Sequence, residues 1–84
     1  MKKKIIDAIV ADSRCLNDDD RLSAGTYSAD AVGSRIDYLH REAENLRDAE
    51  PLTHTAACSA VHFGRREATM RAILAVLVAK GIGE

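Results

Sequence analysis

Apolar residues recur along this chain at helical spacings; residues 72–79 read equally as a buried strand on periodicity alone, but their alanines, the flanking Arg71 and Lys80 and the glycine stop favour helix. Ile5, Ile6, Ile9, Val10, Ser13 and Leu16 share one side of a helix predicted from Lys2 to about Cys15. Asn17, Asp18, Asp19 and Asp20 then break the pattern. The stretch from there through Gly25 and Thr26 favours caps and turns, so it reads as a connector with room for a short helical turn around Arg21 to Ala24. Ser28 can cap a second long helix, in which Val32, Ile36, Leu39, Ala43 and Leu46 follow spacings of 4, 3, 4 and 3. Pro51 pushes the residue before it out of the helical region, which limits this helix to about residues 29–49.

Thr53 or Thr55 can cap a third long helix over residues 54–80, carrying Cys58, Val61, Ala68, Ala72, Ile73, Val76 and Leu77. Gly81 and Ile82 are the residue types of a Schellman stop, and Lys80 suits the negative end of the helix dipole. Gly64 either bends this helix or divides it. The prediction is a single all-α domain over residues 1–84, a small three-helix bundle with a fourth, short helix as its variant. In the last two turns Ile73, Leu74, Val76, Leu77 and Val78 surround the helix axis, the pattern of a helix covered on every side. Two other helices cover only part of it. Leu74, Leu77 and Val78 are therefore candidate contacts for a partner protein or a second copy in a homodimer.

Composition narrows the functional classes. At 84 residues there is room for one domain, and 30% charged with 46% hydrophobic residues describes a chain that folds in water. The net charge of -1 lacks the basic excess of sequence-independent nucleic-acid binders, and three aromatic residues are too few for a base-stacking platform. Charge is unevenly placed, at +2 for residues 1–14, -5 for 15–50 and +2 for 51–84. Asp18, Asp19 and Asp20 repel one another and stay hydrated unless they meet cations, which makes them candidate contacts for basic groups on a partner. Arg65, Arg66 and Arg71 are the local basic cluster, yet Arg66 and Arg71 stand about 140° apart around a helix and make no single stripe. Nucleic-acid binding is the weaker expectation.

Two cysteines, Cys15 and Cys58, are far from the density of a disulfide framework and read as reduced thiols. Lys2, Lys3 and Lys4 before Ile5 and Ile6 imitate a signal peptide, but Asp7 and Asp12 interrupt its apolar region. The longest apolar run, residues 72–79, is 8 residues against roughly 20 for a bilayer span, so no membrane association and a cytoplasmic location are expected.

His54, Cys58 and His62 fall at i, i+4 and i+8 and form the one constellation with metal-ligand residue types. His54 and His62 are about 12 Å apart along the axis, so one ion can take only an adjacent pair. No closed metal site and no cofactor are expected. Cys58 with a histidine four residues away lacks the orienting group and oxyanion donors of thiol catalysis, and no glycine-rich phosphate loop is present. The expectation is a non-enzymatic protein–protein interaction module, a regulator or inhibitor that binds its partner stoichiometrically. In size alone it is similar to the small phage-encoded antagonists of bacterial defence complexes, anti-CRISPR proteins among them. A homo-oligomeric helical scaffold and a small DNA-binding regulator are the alternatives.

Overall fold

A computed structural model describes residues 2–80. Within them the chain forms four helices and no strand: α1 (Lys2–Asp12), α2 (Asp18–Gly25), α3 (Ala29–Arg47) and α4 (His54–Lys80). The all-α expectation holds, and the four-helix variant is the one adopted. α4, 27 residues long, extends about 40 Å at 1.5 Å per residue. It sets the long axis of a particle measuring 46 × 22 × 18 Å. α3 packs antiparallel along it, with His40 opposite Glu67 and Arg47 beside Gly64. α1 and α2 cover the end of this hairpin formed by the start of α3 and the second half of α4.

The supposed connector is a helix because its polar residues are caps. The Asn17 side chain accepts the Asp20 backbone N–H at 2.8 Å, and an Asp20 carboxylate oxygen accepts the Asn17 N–H at 3.3 Å. That reciprocal pair is a capping box, and Asp18, Asp19 and Asp20 together complement the positive end of the helix dipole. α1 ends at Asp12, three residues earlier than its apolar pattern suggests. The Ser13 hydroxyl donates to the Ile9 carbonyl at 2.6 Å, a local bond that competes with helix continuation. The turn beyond is held by Arg21, whose guanidinium donates to the Ser13 and Leu16 carbonyls at 3.2 and 3.3 Å. Leu16 thus reaches the core from a turn.

Tyr27 closes the α2–α3 turn at φ 53°, a left-handed conformation that a residue with a Cβ seldom takes. Contacts of the side chain hold it there. Its hydroxyl donates to Asp7 at 2.6 Å, and the Lys3 ammonium lies 5.1 Å from its ring centre. Acceptance of its O–H by the Asp7 carboxylate pushes the phenol above its ordinary pKa.

Ile6, Leu16, Ala24, Val32, Ile36, Leu39, Met70, Ile73 and Leu77 form the core. The α3 seam is as predicted for Val32, Ile36, Leu39 and Ala43, with Leu46 half-buried. α3 ends at Arg47, two residues short of 49, with Asp48 as its cap. α4 runs unbroken through Gly64. Its carboxyl-terminal turns are covered on one side only: Ile73 and Leu77 are buried, Leu74 and Val76 half-buried, and Ala72, Ala75, Val78 and Ala79 exposed. The cap expected from Gly81 and Ile82 lies outside the described residues. Towards the α3–α4 connection the buried hydrophobics are the small Ala43 and Ala60. A groove of about 300 Å³ opens there between Arg47, Leu52, Ala57, Ala60, Val61 and Gly64.

Gly33 and Gly64 are helix-interior glycines with room for a side chain. A Cβ at Gly33 meets nothing within 4 Å, and one at Gly64 meets only the Arg47 guanidinium at 3.8 Å. Gly33→Ala and Gly64→Ala should each stabilise the fold by about 0.5–1 kcal/mol, by restricting the unfolded chain. Urea denaturation checks this, with the midpoint rising at unchanged slope.

Candidate functional site

Asp20 points inward from α2 and is fully buried. Arg35 of α3 donates from Nε to its Oδ1 at 2.7 Å, while Arg66 of α4 donates from Nε to Oδ2 at 2.7 Å and from Nη2 to Oδ1 at 3.2 Å. With the Asn17 N–H added, both carboxylate oxygens are satisfied. Each guanidinium also lies over an aromatic ring, Arg35 over Tyr38 at 4.6 Å and Arg66 over Phe63 at 4.8 Å. Burial alone would raise the Asp20 pKa. The Arg66 and Arg35 hydrogen bonds, the Arg66 charge and the Asn17 amide outweigh it and hold the carboxyl below its ordinary value.

This placement corrects the expectation for the acidic run, because Asp20 meets two cations and leaves water while Asp18 and Asp19 remain exposed. It also divides the basic cluster: Arg66 turns inward to Asp20, while Arg65 and Arg71 both stay exposed, Arg71 paired with Glu67 at 2.7 Å. Leu77, expected on a partner surface, is buried in the chain's own core. Of the six candidate contacts, Asp18, Asp19 and Val78 are exposed and Leu74 is half-buried.

With Asp20 and Ala24 facing inward, α2 turns its other side to solvent. Leu22, 70% exposed, is the most exposed of the large hydrophobic residues among those described. It lies with Asp18, Arg21, Gly25 and Thr26 around a shallow concavity. Asp18 and Asp19 make no ion pair among the described residues. Sequence reasoning missed Leu22, although Asp18 and Leu22 at i and i+4 follow directly once residues 18–25 are helical.

A second polar group braces α3 against α4. The His40 ring lies between Glu44 at 3.0 Å and Glu67 at 3.2 Å, and Glu67 also accepts from Arg71. Burial tends to raise the Glu67 pKa, but the bonds from Arg71 and His40 prevail and lower it. His54 and Cys58 approach each other on the exposed side of α4, and His62 is exposed one turn further on. Cys15 and Cys58 are both free thiols. No group of three or more metal-ligating side chains occurs among the described residues. None of the described helices is long and apolar enough to cross a membrane.

Comparison with protein-family models, curated proteins and solved structures gave no match.

Removing the buried carboxylate leaves two guanidinium groups in a largely dry site. Asp20→Ala should cost about 3–5 kcal/mol of stability at neutral pH. The folded-state pKa of Asp20 is depressed, so its contribution is present above the unfolded-state value and is lost as pH falls through the folded-state value. Denaturant titrations should show the parent and Asp20→Ala converging in stability as the pH drops below the ordinary carboxylate range. A constant difference across that range would contradict the assignment.

Proposed function

We propose that this protein is a non-enzymatic binding module, a stoichiometric regulator or inhibitor, whose α2 outer face engages a partner protein. The observation that carries the reading is Leu22, left in water on a helix whose opposite side is tied to α3 and α4 through Asp20. An apolar anchor beside charged groups is the anatomy of a binding patch with a polar rim. Asp18 and Asp19, free of internal cations, suit a partner whose apolar recess is edged by Lys or Arg. The Asp20 clamp holds the display rigid before contact, which lowers the entropy lost on binding.

The test is a comparative pull-down from nuclease-treated bacterial lysate. A partner captured near 1:1 by the parent should be bound at least tenfold more weakly by Leu22→Asp, about 1.4 kcal/mol. Asp18→Asn with Asp19→Asn should slow association and flatten its salt dependence. Circular dichroism should show all variants folded, since the three residues are exposed. Undiminished partner affinity in Leu22→Asp would remove the α2 reading.

The outer side of α4 supports a second reading, self-association. Cys58, Val61, Arg65, Ala68, Ala72, Ala75 and Ala79 are all exposed and follow spacings of 3, 4, 3, 4, 3 and 4, with Arg65 the one charge. Three heptads of this period form the kind of seam that a second helix packs against. The parent should then sediment as a dimer and Ala72→Glu with Ala75→Glu as a monomer. A monomeric parent at every concentration tested would exclude an unaided seam dimer.

A further inference from the structure

His54 and Cys58 are both exposed, one helical turn apart on α4, with Nε2 and Sγ 3.5 Å from each other. For a tetrahedral zinc ion, bond lengths of about 2.3 Å to sulfur and 2.0–2.1 Å to nitrogen place those two donors about 3.5 Å apart. The side chains therefore already span one edge of a zinc tetrahedron. Their residue types fit the same ion, since imidazole and thiolate together suit zinc better than hard oxygen-seeking cations. One chain offers nothing more, because no third His, Cys, Asp or Glu joins them among the described residues.

We propose that His54 and Cys58 are half of a zinc site that a second copy of the chain completes with the same pair. Two copies supply two thiolates and two imidazoles, the closed donor set of a structural site. Each Cys58 thiol loses its proton to solvent as its sulfur bonds the metal, so two protons leave per ion bound. Both donors project from the open side of α4, where Val61, Ala68 and Ala72 are also exposed and Arg65 is the one charge an approaching helix would meet. The inference needs self-association only for its last two ligands, and the metal would supply the attraction that a seam of alanines lacks. It is independent of whether α2 binds another protein.

The test uses the full chain, reduced and metal-free, titrated with Zn²⁺ and in parallel with Co²⁺ as a spectroscopic substitute. The expected result is one ion per two chains, with Co²⁺ showing thiolate charge transfer and the intense visible bands of tetrahedral coordination. Light scattering should find monomers in EDTA and dimers with Zn²⁺. Cys58→Ser and His54→Ala should each abolish the metal-dependent dimer, whereas His62→Ala, one turn beyond Cys58, should retain it. All three positions are exposed, so the variants should fold. No metal uptake, binding indifferent to Cys58→Ser, or one ion per monomer would each overturn the proposal. Dimers of equal strength in EDTA and in Zn²⁺ would overturn it too, while upholding the metal-free seam.

Discussion

Asp20 brings a carboxylate into the junction of three helices, where water no longer reaches it and Arg35 and Arg66 take over its solvation. An ionised carboxylate in such a place costs several kcal/mol to dehydrate, and two well-aligned guanidinium groups offset that cost only while all three stay in register. The arrangement is therefore directional in a way that apolar packing is not. α2, at eight residues, is too short to be stable alone, and of its own residues only Asp20 and Ala24 are buried. Its angle and rotation are set by where the two guanidinium groups point. Those in turn are steadied by Tyr38 and Phe63, one turn away on α3 and α4.

The same interaction decides what the protein shows to its surroundings. Because α2 turns Asp20 inward, it must turn Asp18 and Leu22 outward, and the acidic run is divided into one structural and two surface carboxylates. Because Arg66 is drawn to Asp20 and Arg71 to Glu67, the basic residues of α4 cease to act as a patch. The buried pairing thus leaves Leu22 among Asp18, Asp19 and Arg21 on the outer face of α2, and on α4 an open seam whose one charge is Arg65.

Stability is distributed unevenly between the two ends of the long hairpin. The large apolar side chains gather where α1 and α2 cover it, from Ile6 through Leu39 to Leu77. At the other end buried contact comes from Ala43 and Ala60, while Leu52 and Val61 remain largely in water. His40, between Glu44 and Glu67, braces the region between. The fold is thus anchored at one end by burial and by the Asp20 clamp, and is more open at the other.

Helix periodicity was enough to establish the all-α class, the α3 seam and the presence of a long helix from His54 onward, because spacing in a helix is a local property, but it left open whether Gly64 divides that helix. The start of α2 was legible as well, in Asn17 and Asp20 at the two ends of a capping box, but a run of aspartates reads more readily as a solvated break. The end of α1 was hidden by Leu16, whose apolar side chain fits the helical pattern yet reaches the core from a turn. Nothing local could announce the Asp20 clamp, whose partners lie 15 and 46 residues away. Nor could periodicity decide which apolar residues of α4 stay exposed. The sequence by itself determined where helices form, since hydrogen bonding, capping and side-chain period act within a few residues of each other. Only the tertiary structure decided which charges are buried together and which faces are left open, because the solvation of a charge depends on the groups that folding brings beside it.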